Sequence, residues 1–224
     1  MKEYIVKILE IFDVSHDVKG FHLEKPEGYT FRPGQAANVA IGKKGWEEKQ
    51  RPFTFTNLPG DDILELIIKI YPSRNGLTKE LEGLKKGDEL IINKPWGSIE
   101  YRGEGVFIAG GAGITPFISI LRDLEKKDEM GKNILIFANN TSKDIIMEEE
   151  FDKMLGSDRF INILAEEKTD KYHNGFISKE FLEEQLDHFN RVFYLCGPPP
   201  MMKAVEEDLA ELGVKKESLV KEEF

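Results

Sequence analysis

The sequence predicts two domains, an antiparallel β-barrel over residues 1–101 and an α/β domain built on a mostly parallel sheet over residues 102–224. Three observations lead there. At 224 residues the chain has room for two units, since domains commonly run about 100 to 200 residues. Up to Tyr101 it is a succession of short apolar or alternating runs separated by turn residues, the pattern of a barrel or sandwich. After Arg102, apolar runs alternate with stretches of helical spacing, the pattern of βαβ units.

In the first half, strands are expected at YIVKILEI from Tyr4, AANVAI from Ala36, PFTF from Pro52, ILELIIKI from Ile63 and ELII from Glu89. Pro26 to Gly28, Pro33 to Gly34, Pro59 to Asp61 and Lys86 to Asp88 supply the turns between them. Asn75 to Thr78 (NGLT) turns into the helical-looking KELEGL. The polar stretch YRGEG, Tyr101 to Gly105, marks the boundary and is too short for a mobile linker. Beyond it, strands are expected at VFIAG from Val106, ILIFA from Ile134, FINILA from Phe160 and VFYLCG from Val192. Phe117, Ile118, Leu121 and Leu124 fall at helical spacing, with Gly131 placed to end that helix and Gly213 to close the one after Pro200. The charge runs EKKDEM and MEEEFDK read as solvated helix faces.

Composition removes several functions. A hydrophobic share of 40% and a charged share of 32% suit a globular chain, and no apolar run approaches the roughly 20 residues of a membrane-spanning helix. The opening MKEYIVKILEIF carries acidic residues within its apolar stretch and no small-residue cleavage site, so it does not read as a signal peptide and a cytoplasmic protein is expected. A net charge of −10 opposes nucleic-acid binding, which needs cationic side chains on phosphates, and argues against a strongly acidic redox partner. Cys196 is the one cysteine, which excludes an internal disulfide and a cysteine-ligated iron–sulfur cluster. Electron transfer would therefore use an organic cofactor. His16, His22, His173 and His188 show no paired spacing with carboxylates, and no metal is expected.

Three segments carry chemistry. GGAGITP, Gly110 to Pro116, follows a strand and places Gly110, Gly111 and Gly113 where backbone approaches a ligand, then Thr115 as N-cap and Pro116 at the first helical position. Such a helix start offers N–H donors and a positive dipole end to a pyrophosphate. CGPPPM, Cys196 to Met201, follows another strand and packs three prolines into a rigid edge suited to positioning a flat ring. Taken alone, Cys196 reads as a buried small residue. RPFTFTN, Arg51 to Asn57, offers a bidentate phosphate grip at Arg51, a ring at Phe53 and a hydroxyl at Thr54. Strand alternation puts Phe53 and Phe55 on one face and Thr54 and Thr56 on the other, so that one face is core and the other faces ligand.

In this order and spacing the segments resemble the ferredoxin–NADP reductase superfamily, including its cytochrome b5 reductase and oxygenase-reductase branches, from Phe31 (FRPGQ) to the C-terminus. The resemblance implies a flavin-binding barrel followed by a Rossmann-like NAD(P)-binding domain. It implies that Arg51, next to Pro52, holds the flavin phosphate, that Phe53 lies along the isoalloxazine and that Thr54 approaches N5. Phe53 departs from the family's usual tyrosine, keeping the aromatic surface and losing a hydroxyl. Lys69 and Tyr71 would line the flavin chain, and Gly76, Leu77 and Thr78 would bind the pyrophosphate that distinguishes FAD from FMN, so FAD is expected over FMN. Gly110, Gly111, Gly113, Ile114, Thr115 and Pro116 match the NAD(P) pyrophosphate loop. Cys196, Gly197, Pro198, Pro199 and Met201 match the nicotinamide-side motif, and Phe224 would shield the flavin ring.

The same resemblance implies the reaction: hydride passes from NAD(P)H to bound FAD, with Thr54, Cys196 and Phe224 at the reacting rings. Electrons then leave to a separate acceptor, a ferredoxin, flavodoxin, haem protein, oxygenase component or small molecule. FANNTSKD, Phe137 to Asp144, is similar to the NADH-using cytochrome b5 reductase branch and has no arginine for a 2′-phosphate, although Ser142 and Lys143 offer donors, so NADH is favoured over NADPH. Two alternatives stay open: a reductase of free flavin or ferric ions, and an electron-input or nucleotide-sensing subunit inactive outside a complex.

Overall fold

Strand β1 (Glu3–Ser15) runs for 13 residues and changes partner along its length. Glu3 to Lys7 pair antiparallel with Glu89 to Asn93, and Ile8 to Ser15 pair with Val18 to Leu23. The change coincides with a register shift between Ile8 and Glu10, where an extra residue bends and twists a strand. The computed structural model describes residues 2–73, 75–97 and 99–222. Among these, β2 (Val18–Glu24), β3 (Ala36–Ile41), β4 (Arg51–Thr54), β5 (Ile63–Lys69) and β6 (Glu89–Asn93) complete an antiparallel sheet in the order β4-β3-β6-β1-β2-β5. A bridge between Phe55 and Leu66 then joins the end of β4 to β5 and closes the barrel.

Alternation builds the interior. Val6 and Ile8, Phe21 and Leu23, Val39 and Ile41, Leu64 and Leu66, and Leu90 and Ile92 all enter one core, each contributing on the order of 1.5–3 kcal/mol by leaving water. Helix α1 (Leu77–Glu82) adds Leu77 and Leu81 to it. Strand β2 was not expected from sequence, because Lys19, Gly20 and His22 interrupt its apolar pattern. The Phe12 ring lies over Gly20, where a Cβ would push it aside.

The second sheet is parallel throughout, in the order β10-β9-β8-β7-β11-β12. Its strands are β7 (Gly105–Gly110), β8 (Ile134–Asn139), β9 (Phe160–Leu164), β10 (His173–Asn174), β11 (Val192–Cys196) and β12 (Leu219–Lys221). The connecting helices are α2 (Thr115–Lys126), α3 (Glu148–Leu155), α4 (Lys179–Gln185) and α5 (Pro199–Glu211). Strands β10 and β12, of two and three residues, are too short to leave a period in the sequence. The strand order turns at β7, with β8 on one side and β11 on the other, which is the switch point where open α/β sheets bind ligands. Tyr194 of β11 stacks on Phe107 at 4.3 Å, and its hydroxyl donates to the Gly103 carbonyl at 2.7 Å and accepts from the Arg102 N–H at 2.8 Å. The Tyr101 to Gly105 stretch is thereby tied to the sheet.

Two helix ends test the glycine expectations. Gly213, at φ +83°, follows α5 as expected, and Val214 N–H returns to the Leu209 carbonyl at 2.9 Å. Helix α2 stops at Lys126, well before Gly131. Asp128 takes the left-handed conformation (φ 58°) and Glu129 N–H bonds the Leu124 carbonyl at 2.8 Å, so Gly131 serves the turn into β8 instead. An Asp at that position suffices because its short polar side chain tolerates αL.

Packing divides the chain into two compact units, Met1–Glu100 with Thr115–Asp123, and Tyr101–Ile114 with Leu124–Phe224. Most of α2 therefore packs with the barrel strands.

Candidate active site

The flavin-motif segment lies on β4. Over Arg51 to Thr54 this strand pairs with β3 alone, leaving its other backbone edge unpaired among the described residues. Arg51 is exposed, and its Nη1 donates to the Gln50 carbonyl at 2.8 Å, which orients the guanidinium and leaves further donors for an anion. Pro52 is exposed, Phe53 packs partly onto the barrel core, and Phe55 is fully inside it. The phenylalanine face is thus the core face, as the alternation implied. The threonine face is less open than expected. Thr54 is 8% exposed and Thr56 is fully buried, its hydroxyl donating to Glu65 Oε1 at 2.7 Å and its carbonyl accepting from Arg122 Nη1 at 2.9 Å.

Glu65 is the charged centre of this unit. Its carboxylate also accepts from Arg122 Nη1 at 2.7 Å and lies 3.1 Å from His22 Nε2, whose other ring nitrogen is 3.1 Å from Glu10. Burial by itself would raise the Glu65 carboxyl, but Arg122, Thr56 and His22 outweigh it and hold the group below its usual range. Sequence reading did not single out Glu65 or Arg122. Of the residues it did single out, Lys69 ends β5 with its ammonium 2.8 Å from Asp17 Oδ2, and Tyr71 follows it half-buried. Gly76 is the N-cap of α1, and among the described residues no side chain caps that helix at Leu77 and Thr78. The exposed Arg51, the open strand edge and the uncapped helix start fit an extended diphosphate cofactor.

In the other unit the GGAGITP and CGPPPM segments meet at the strand switch point. Cys196 pairs in register with Ala109. A Cβ on Gly113 would run into the Cys196 carbonyl, and one on Gly110 into Met201 Sδ and Pro198. These two glycines are therefore required by the opposing segment itself. Gly111, at φ +51°, has nothing within 4 Å of a Cβ, and it is the glycine whose surroundings are open. The residues Gly111 to Ile114 form a 3-10 turn that runs directly into α2, so Thr115 is the first helical residue and Pro116 the second, one place later than the expected cap. Helix α5 begins differently: Pro198 is its N-cap and Pro199 and Pro200 follow, removing N–H groups from its first turn. That end is rigid and poor in donors, suited to a ring face more than to an anion.

Cys196 is 6% exposed, and burial, with the Glu222 carboxylate adding to it, pushes its thiol up to about 12. It stays a neutral SH at working pH and is no nucleophile. Phe224, assigned by the resemblance to the flavin ring, lies outside the described residues.

At the carboxyl end of β8, Asn139 is 7% exposed and neither its Nδ2 nor its Oδ1 has a hydrogen-bond partner among the described residues. Buried amides are rarely left so, and this one lies at the edge where parallel sheets take nucleotides. It belongs to the FANNTSKD stretch but had not been picked out. Ser142, by contrast, is a candidate donor for a 2′-phosphate in the sequence. Its N–H donates to Glu167 Oε2 at 2.6 Å and its hydroxyl to Glu167 Oε1 at 3.1 Å, so an acidic group already occupies both donors. A second anion there would meet like charge.

Comparison with known proteins identifies both halves of the chain. Residues 6–101 match the oxidoreductase FAD-binding domain and residues 107–207 the oxidoreductase NAD-binding domain. The NADH-cytochrome b5 reductase 1 of Aspergillus clavatus is 31% identical over 96% of this chain and 75% of its own. The cytochrome b5 reductase domain of Ulva prolifera nitrate reductase superposes with a TM-score of 0.85 at 24% identity, covering 98% of this chain and 97% of that one. A ferredoxin NADP+ reductase from Neisseria gonorrhoeae with bound FAD and NADP gives 0.83 at 20% identity over 99% and 98%. At these identities the two structural likenesses speak for the fold, a barrel followed by a parallel α/β sheet.

Proposed function

The chain belongs to the ferredoxin–NADP reductase superfamily of FAD- and NAD(P)H-using oxidoreductases, and on that premise we propose an NADH-dependent reductase that hands electrons to a separate haem or iron–sulfur protein. In this reading residues 1–101 serve the flavin and residues 102–224 the dinucleotide. The observation that carries it is the mutual fit of the two dinucleotide segments at the strand switch point, Gly113 against the Cys196 carbonyl, with the open turn at Gly111 beside them. FAD, when bound, supplies the hydride-accepting ring; everything else falls to the protein.

Arg51 holds the flavin phosphate as a charge-assisted fork, and Pro52 fixes the backbone beside it. Phe53 presents an aromatic surface to the ring and Thr54 a hydroxyl at its reacting edge. Lys69 and Tyr71 line the flavin chain, while Gly76, Leu77 and Thr78 receive the pyrophosphate on backbone N–H groups, which favours FAD over FMN. Gly110, Gly111, Gly113, Ile114, Thr115 and Pro116 take the dinucleotide pyrophosphate. Cys196, Gly197, Pro198, Pro199 and Met201 form the nicotinamide side, where the neutral Cys196 thiol adds no charge beside the transferred hydride. Asn139 satisfies its amide on the adenosine half. The protein thus orients two rings and keeps water out, and it needs no acid or base.

The choice of NADH rests on Glu167, whose carboxylate fills the Ser142 donors and repels a 2′-phosphate, and it agrees with the name borne by the Aspergillus relative. A haem-protein acceptor is the role that relative's name gives it. Among the described residues no helix is long and apolar enough to cross a membrane; we place the enzyme in the cytoplasm, which cell fractionation tests. The central experiment is anaerobic titration of purified protein. A flavin that survives dialysis and is bleached by NADH at far lower concentration than by NADPH is the expected result. Loss of the yellow colour on dialysis would make flavin a substrate, and a bound flavin that neither nucleotide bleaches would overturn the reading.

A further inference from the structure

The barrel closes at one point, and that point is held by a side chain of α2. Strand β4 is four residues long and pairs with β3 on one side. Its attachment to β5 comes just beyond it, through the Phe55–Leu66 bridge and the Thr56 N–H to Glu65 carbonyl bond of 3.0 Å. At Thr56 every polar group is spent: N–H on the Glu65 carbonyl, hydroxyl on Glu65 Oε1 and carbonyl on Arg122 Nη1. The same Nη1 lies 2.7 Å from Glu65 Oε1, so guanidinium, carboxylate and threonine form one buried cluster. Arg122 and Glu65 side chains are 20% and 11% exposed, which makes the pair poorly screened.

Arg122 lies two turns into α2, the helix that GGAGITP opens. One turn earlier, Ser119 Oγ accepts the Gly34 N–H at 2.9 Å and donates to the Pro116 carbonyl at 3.3 Å. Gln35, next to Gly34, accepts the Phe55 N–H at 3.1 Å, so the first turn of α2 and the end of β4 are joined by a short chain of bonds inside one compact unit. Thr56 stands two residues from Thr54, about 7 Å along an extended strand, with no regular ladder on the β5 side to absorb a shift between them.

We propose that Arg122, charge-paired with Glu65, is a positioning residue for hydride transfer: it sets the depth of Phe53 and Thr54 on β4 against the helix start at Thr115 and Pro116. This rests on the function proposed above, in which Phe53 and Thr54 meet the flavin and α2 begins at the dinucleotide. Arg122 touches neither reacting ring. Its loss should leave FAD bound and shift Phe53 and Thr54 with respect to the start of α2. Ground-state binding uses Arg51 and the backbone amides and is insensitive to such a shift. Reactive alignment is sensitive to it, because rates fall steeply with sub-ångström misplacement.

The test compares wild type with Arg122→Gln, Arg122→Lys and the double variant Glu65→Gln/Arg122→Gln. The double variant removes both charges together, so its folding does not depend on a stranded buried carboxylate. Three quantities are read: the flavin bleaching rate at saturating NADH, the KM for NADH, and amide exchange of Thr54 and Thr56 in flavin-free protein. The expected result for both glutamine variants is stoichiometric FAD, a KM within about threefold of wild type and a saturating rate lower by about tenfold or more, the loss attached to one charge-assisted hydrogen bond. The Thr56 amide should exchange at least about tenfold faster in apoprotein. Arg122→Lys, which keeps the charge without the planar fork, should fall between; it decides the matter if neither glutamine variant folds, an unchanged rate in it then counting against the proposal. Rates within about twofold of wild type in FAD-loaded glutamine variants would overturn it, as would a rate that falls only in proportion to lost flavin. A wild-type protein that NADH does not bleach would overturn the underlying function as well, and the wild-type control alone reports that.

Discussion

At the scale of single residues, chemistry is assigned by burial as much as by identity. Cys196 has the position of a reactive residue and the environment of an inert one, with a thiol pushed up to about 12 by burial. The folded protein should therefore resist iodoacetamide at pH 8.5 while the same thiol in guanidinium reacts within minutes; equal rates would contradict the burial. The sign for stability follows. The raised thiol contributes stability that is fully present below the unfolded value of about 8.5 and is lost as pH rises from there towards 12. Arg51 is the opposite case, exposed and bonded to the Gln50 carbonyl. Arg51→Gln should weaken FAD binding by roughly ten- to a hundredfold, the value of a charge-assisted bond, with little change in melting temperature of the apoprotein. Equilibrium dialysis of flavin against both proteins measures it.

At the scale of elements, two short devices bear on the proposed specificity and on integrity. The turn after β8 places Ser142 against Glu167, and Glu167→Gln should narrow the preference for NADH over NADPH by about tenfold, chiefly through a lower KM for NADPH. Steady-state kinetics with both donors would show it. Glu65, held below its usual range, contributes stability that is present above about pH 4.3 and lost as pH falls through its lower folded value. Acid unfolding of Glu65→Gln should accordingly begin from a lower plateau and depend less on pH below about 4.3 than that of wild type, as followed by tryptophan fluorescence.

At the scale of the molecule, hydrophobic cores inside the barrel and against the parallel sheet share the stability. FAD contacts proposed here fall on the barrel, so FAD at a hundredfold over its Kd should stabilise that unit by about 2.7 kcal/mol. A calorimetric scan should show the barrel transition moving with FAD and the other moving with NADH; if both moved equally with FAD alone, the assignment of cofactors to units would be wrong. The net charge of −10 bears on the acceptor. A cationic partner face would be steered to this protein, and the rate of its reduction should fall with added salt.

Much of this could be read from residues. The strands of the barrel are legible where apolar residues run almost unbroken, as from Ile63 to Lys69, and are lost at Val18 to Glu24, where Lys19, Gly20 and His22 break the apolar pattern. GGAGITP and CGPPPM were legible because glycine and proline act on their own backbone, whatever surrounds them. The chain alone thus pointed to the family and to a barrel followed by a parallel α/β domain, and it singled out the motifs on which the proposed chemistry rests. Folding settled what depends on residues distant in sequence: that Gly113 is glycine for the Cys196 carbonyl, that Glu167 fills the donors of Ser142, and that Arg122 reaches Thr56 and Glu65 across 66 and 57 positions. The physical reason is the range of the forces. Backbone preference and periodicity act within a few residues and leave their mark in order, whereas burial, charge pairing and close approach belong to contacts that exist only once the sheets have closed.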